Sequence, residues 1–168
     1  MNYHNITHDD MLNGDGLRVV LWVAGCEHRC KGCQNPVTWD SNGGIVFGVD
    51  AKKEIFEELK KDYISGITFS GGDPLHPRNV RCVYGLMNEI KSEFPNKTVW
   101  IYTGYTWEQI QENRLLKMVV SYADVLVDGR FEQKLLDVNY HWAGSTNQRV
   151  IDIQKSIKEG QVVLYDNK

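Results

Sequence analysis

The chain has 168 residues, 42% hydrophobic and 24% charged, a composition that fits a globular protein and excludes a collagen-like or disordered one. Its 19 basic residues are scattered among 22 acidic ones for a net charge of −3, with Lys52-Lys53 and Lys60-Lys61 interleaved with glutamates, so no nucleic acid or other polyanion is expected as a partner. The longest apolar run, residues 19–24, is far shorter than the ~20 residues of a membrane span, and no basic-then-apolar leader is visible, so a cytoplasmic protein without a membrane partner is expected, as one domain over residues 1–168.

Residues 17–23 are rich in β-branched side chains and follow the turn pair Asp15-Gly16, which predicts a strand. Asp50 predicts the cap of a helix whose apolar positions Ile55, Phe56, Leu59 and Tyr63 recur at helical spacing. Its Lys/Glu face reads as solvated, supported by pairs such as Glu57 with Lys61. Residues 66–70 predict a second strand, closed by Gly71-Gly72. Pro77 suits the first position of the next helix, with Val80, Val83, Tyr84, Met87 and Ile90 as its buried stripe and an end before Pro95. Residues 98–102 predict a third strand, ending at Gly104; Thr106 caps a helix with Trp107 and Ile110, and a further helix covers residues 115–120. A fourth strand at residues 124–127 runs into Asp128-Gly129. A weak strand around residues 150–153 and a last one at residues 161–165 complete the reading, with Trp22, Trp100 and Tyr102 as core.

Alternating strands and helices predict a parallel sheet with right-handed crossovers. An eight-unit barrel takes about 250 residues, so this chain has room for about five or six units, as an incomplete barrel or an open doubly wound sheet. The unusual residues follow the strands: Cys26 to Cys33 after the first, Ser70-Gly71-Gly72-Asp73 after the second, Thr103-Gly104-Tyr105 after the third, Asp128-Gly129-Arg130 after the fourth. In a parallel architecture those strand ends share one edge, where ligands bind.

Cys26, Cys30 and Cys33 form a C-x-x-x-C-x-x-C array, while Cys82 is remote and reads as packing. Three thiolates on a tight loop can surround a cuboidal cluster and leave one iron open to a substrate. The bland alternative is a closed zinc set of Cys26, His28, Cys30 and Cys33. Outside such a set, His28 reads as a solvated loop residue and His76 as a helix-start residue; His141-Trp142 carries no assigned chemistry. The paired glycines before Asp73 let backbone approach a ligand, and the carboxylate can hold an ammonium group.

The three-cysteine array and the Gly-Gly-acid turn resemble radical S-adenosylmethionine (SAM) enzymes. Segments 14–18, 25–36, 70–75, 124–131 and 144–149 resemble, more narrowly, the family of glycyl-radical activases for anaerobic ribonucleoside-triphosphate reductase. That resemblance implies an α/β fold, an incomplete (β/α) barrel of about five to six units. It implies a 4Fe-4S cluster on Cys26, Cys30 and Cys33 whose fourth iron binds the amino and carboxylate groups of SAM. Gly72 and Asp73, with the backbone of Gly71, would hold the methionyl amino end. Gly32 and Gln34 would lie beside adenine, although many relatives carry an aromatic residue where this chain has Gly32. Thr103, Asp128 and Arg130 would touch ribose and carboxylate. The implied activity is reductive cleavage of SAM to a 5′-deoxyadenosyl radical that takes hydrogen from a glycine Cα of the large subunit of the class III reductase. The electron would come from a low-potential donor such as a flavodoxin or ferredoxin, and no catalytic side chain is required. A small radical SAM enzyme of deazapurine synthesis and a non-catalytic zinc interaction module are the competing readings.

Overall fold

A computed structural model describes residues 1–166. The chain opens with a hairpin of β1 (Asn2–Asp10) and β2 (Leu17–Val23), continues through the cysteine loop to the two-residue β3 (Ile45–Val46), and enters α1 (Val49–Leu59). Next come β4 (Ile64–Gly71), α2 (Val80–Glu93) and β5 (Thr98–Tyr102). The short helices α3 (Trp107–Glu112) and α4 (Arg114–Val120) lead to β6 (Val125–Asp128), and β7 (Arg149–Asp152) runs directly into α5 (Ile153–Glu159).

The strands form one sheet in the order β3-β1-β2-β4-β5-β6-β7. The inner strands β2, β4, β5 and β6 are parallel, as the alternation of strands and helices requires. The outer strands β1, β3 and β7 are antiparallel to their neighbours. The sheet stays open between β3 and β7, so the architecture is the incomplete (β/α) type rather than a closed barrel.

Alternation along the strands gives the sheet two different faces. Val19, Leu21, Ile67, Phe69, Val99 and Ile101 are fully buried in the main core together with Ile55 and Leu59 of α1, Val83 and Met87 of α2, and Val119 of α4. Each such side chain is worth about 1.5–3 kcal/mol relative to exposure. On the opposite face Trp100, Val125 and Val127 form a smaller cluster. Trp142 and Tyr165 close it with their ring edges, 5.0 and 5.1 Å from Trp100.

At the end of the sheet away from the cysteines, the fully buried Arg18 stitches β2, β4 and β5 together. Its guanidinium donates to Thr68 Oγ1 at 2.8 Å, to the Ile67 carbonyl at 2.8 Å and to the Thr98 carbonyl at 2.9 Å. Burial lowers its pKa to about 10.

Several boundaries differ from the sequence reading. Strand β1 is mostly polar; only Ile6 is buried, and the strand is held by backbone bonds to β2 rather than by an apolar pattern. Helix α1 is capped by Gly48, which places Asp50 inside the first turn, and Tyr63 lies beyond the helix, 55% exposed. The expected Glu57–Lys61 pair is replaced by Glu57–Lys60 and Glu58–Lys61. Helix α2 starts at Val80 rather than Pro77, because Asn79 Nδ2 donates to the Ala24 and Asp73 carbonyls, both at 2.9 Å, and holds the preceding turn against the cysteine loop. Residues 161–165 form no strand; a single bridge joins Leu164 to Ile151. Helix α5, absent from the sequence reading, is capped by the Asp152 side chain and stopped by the left-handed Gly160. No helix among the described residues is long and apolar enough to cross a membrane.

Candidate functional site at the open edge of the sheet

The cysteine loop leaves β2 and is pinned at its base. Gly25 N donates to the Thr38 carbonyl at 2.7 Å and Cys26 N to the Trp39 carbonyl at 3.1 Å. Within the loop, Cys33 N donates to the Cys30 carbonyl at 3.1 Å, and Asn35 N points at Cys33 Sγ at 3.4 Å. Such an N–H aimed at sulfur suits a thiolate. Burial pushes the Cys26 thiol up to about 11 and the Cys30 thiol upward as well.

The end of β4 presses backbone to backbone against this loop. Gly72 N donates to the Val23 carbonyl at 2.7 Å and Asp73 N to the Gly25 carbonyl at 2.8 Å. A Cβ on Gly71 would lie 2.8 Å from Val23 N, and one on Gly72 only 2.6 Å from the Gly25 carbonyl oxygen. Gly71 also has a φ of +98°, so glycine is required there on both counts.

A cavity of about 200 Å³ brings Cys26, Cys30, Cys33 and Gln34 together with Gly71, Gly72, Asp73 and Thr103. These eight predicted site residues therefore share one space. Gly32 lies outside it; its φ is +74° and a Cβ there would meet Gln133 at 2.9 Å. Asp128 and Arg130 line a neighbouring cleft that shares Gly104 and Gly129 with the first.

Asp73 is only 2% exposed, and its carboxylate is crowded with donors. It accepts from Leu75 N at 2.8 Å, Thr103 Oγ1 at 2.9 Å, Gly104 N at 3.0 Å and His28 Nε2 at 2.7 Å. A carboxylate offers about four acceptor positions, and these donors fill it. Thr103 is likewise turned onto Asp73. The carboxylate of Asp128, 1% exposed, takes Trp107 N at 2.7 Å and Arg149 Nη2 at 2.5 Å. Arg149 also reaches Glu108, and these bonds hold its pKa above the usual arginine range. Arg130 is exposed and contributes its carbonyl to Asn147 Nδ2 at 2.8 Å.

His28 is not the solvated loop residue expected. Its side chain is 8% exposed, bonded to Asp73 and packed edge-on to Tyr105 at 4.7 Å. That bond occupies Nε2 and leaves Nδ1, so it does not by itself decide for or against the closed zinc set. Among the described residues no group of three Cys, His, Asp or Glu side chains is arranged to hold a single metal ion. The three cysteines border one cavity, and three thiolates are a donor set that suits an iron–sulfur cluster. In the sequence His28 reads only as a zinc ligand or a solvated loop residue, and Arg149 only as part of a resembling segment; the partner that fixes His28 is 45 residues away.

A family model described as a 4Fe-4S single cluster domain matches residues 12–151, a span that includes all of these residues. Proteins named anaerobic ribonucleoside-triphosphate reductase-activating protein match over nearly the whole chain. The one from Enterobacteria phage T4 is 44% identical over 89% of this chain and 93% of its own length. Those from Pasteurella multocida and Escherichia coli K12 are 40% and 43% identical, over 95% and 97% of their own lengths. The chain belongs to this family of activating proteins. It carries an iron–sulfur cluster domain, which favours a cluster over a zinc module.

Proposed function

We propose that residues 1–168 act as one cytoplasmic domain that activates anaerobic ribonucleoside-triphosphate reductase by generating a glycyl radical on its large subunit. The observation that carries this reading is the shared cavity: the cysteine array and the Gly71-Gly72-Asp73 turn face one space at the carboxyl ends of the inner strands, in a chain of this family. Cys26, Cys30 and Cys33 would hold the 4Fe-4S cluster. When bound, the cluster and SAM supply the chemistry: one electron from a low-potential donor such as a flavodoxin or ferredoxin, cleavage to methionine and a 5′-deoxyadenosyl radical, and abstraction of hydrogen from a glycine Cα.

The protein's own contribution is placement. The backbone of Gly71 and Gly72 offers polar groups unshielded by side chains, suited to the methionyl end. Gln34 borders the same cavity, suited to adenine. Asp73, already filled, shapes the turn instead of offering free lone pairs. Thr103, Asp128 and Arg130 belong to the loops that frame the ligand, and Gly32 is the outermost of the expected contacts. The open sheet leaves the cavity reachable by a loop of another protein, as a macromolecular substrate requires.

The test is electron paramagnetic resonance after anaerobic mixing of the reconstituted chain with reductant, SAM and reductase. A glycyl radical doublet on the reductase, absent when SAM is omitted, is expected. Its absence with a full complement of iron would overturn the assignment.

A further inference from the structure

His28 has no role in the reading above, yet the structure is built around it. It sits between the first two cysteines, and its Nε2 donates to Asp73 Oδ2 at 2.7 Å with both side chains almost sealed from solvent, 8% and 2% exposed. Its ring meets the edge of Tyr105 at 4.7 Å. The space it fills exists only because residue 104 is glycine: a Cβ there would lie 2.3 Å from His28 Cδ2. Gly104 also sends its own N–H to the same carboxylate oxygen, at 3.0 Å. One carboxylate thus fastens the cysteine loop, the Gly-Gly-Asp turn and the loop after β5 to each other.

We propose that His28 is a positioning residue for the methionyl end of SAM. By occupying Asp73 it locks the cysteine loop to the Gly71-Gly72 backbone, so that the cluster corner and the turn that receives the ligand keep one fixed separation. Asp73 then serves the ligand through this clamp rather than by direct contact. The proposal rests on the activase reading and deepens it. The clamp needs only an N–H donor and the bulk of the ring; no change of protonation is invoked.

The test uses the full chain, anaerobically reconstituted and left oxidised so that SAM binds without being cleaved. Iron content, melting temperature and SAM affinity by calorimetry are compared for wild type, His28→Ala, His28→Gln, Gly104→Ala and the double variant His28→Ala/Gly104→Ala. Loss of a hydrogen bond to a charged group predicts affinity lowered roughly tenfold or more in His28→Ala, with iron content retained. His28→Gln, which keeps a donor, should recover most of it. Gly104→Ala places a Cβ against the ring, drives it out and should match His28→Ala. The double variant should bind no worse than either single one, the mark of a shared interaction.

Wild-type affinity in His28→Ala would overturn the proposal. So would tighter binding, which would show the released carboxylate taking the ammonium directly. Multiplicative losses in the double variant, or loss of iron in His28→Ala, would also overturn it, the latter because His28 would then be holding the cluster. Should Gly104→Ala fail to fold, the Ala and Gln variants of His28 decide. A wild-type holoprotein that binds no SAM at all would instead bring down the activase reading itself.

Discussion

Tyr102 ends β5 with its ring against the cavity and its hydroxyl oxygen buried without a hydrogen-bond partner among the described residues. Burial pushes its pKa upward, well above the usual phenol range. A buried hydroxyl left unpaired costs about 1–3 kcal/mol, so Tyr102→Phe is expected to melt at the same temperature as wild type or higher. A fall of several degrees would contradict the absence of a partner. Arg18 makes the opposite case, since its buried donors all have acceptors. Arg18→Met strands the Ile67 and Thr98 carbonyls and should cost about 2–4 kcal/mol, read from urea unfolding midpoints. A change under half a kcal/mol would contradict it. At this scale the proposed cluster ligands are easy to find in the sequence, because Cys26, Cys30 and Cys33 lie within eight residues. Apart from Leu75, the donors to Asp73 (Thr103, Gly104 and His28) lie 30 to 45 residues away, and nothing local marks them.

Helix α3 and strands β6 and β7 meet at one ion cluster. Asp128 at the end of β6 caps α3 through Trp107 N and pairs with Arg149 of β7, which also holds Glu108 of α3. Arg149→Ala leaves a buried carboxylate without its cation and should cost about 3–4 kcal/mol, the lower part of the range for breaking such a pair. For a chain of this size that is a drop of roughly 5–15 °C in melting temperature. An unchanged melt would contradict the pairing. Glu108 is held below its usual range by the hydrogen bond from Arg149. A depressed carboxylate stabilises the fold at neutral pH, and that contribution fades as pH falls through the lowered value. Because its side chain is 61% exposed, the effect of Glu108→Gln on acid unfolding should be small. The elements most legible in the sequence are the inner parallel strands, which are buried on both faces and read as continuous apolar runs. Strand β1 is hidden for the opposite reason: in Asn-Tyr-His-Asn-Ile-Thr-His-Asp-Asp only Ile6 is buried, and the strand is recruited by backbone bonds to β2. Residues 161–165 mislead because Val162, Val163 and Leu164 look like a strand, yet Leu164 is 59% exposed and makes only one bridge.

For the whole molecule, length leaves room for about five or six units, and the sheet is open; the clustering of unusual residues after each inner strand points to the strand ends that border the cavity. The direction of β1, β3 and β7 left no trace in the sequence, because strand polarity depends on connections rather than on side chains. The open sheet, with helices covering one face and a small aromatic cluster on the other, leaves the cysteine loop accessible at those strand ends. The account depends on three thiolates holding an iron–sulfur cluster there. Anaerobic iron, sulfide and zinc analysis of wild type beside Cys26→Ser and Cys82→Ser tests this most directly. About four irons and four sulfides per chain are expected in wild type and Cys82→Ser, and almost none in Cys26→Ser. One zinc per chain without iron, or equal loss of iron from Cys82→Ser, would contradict it.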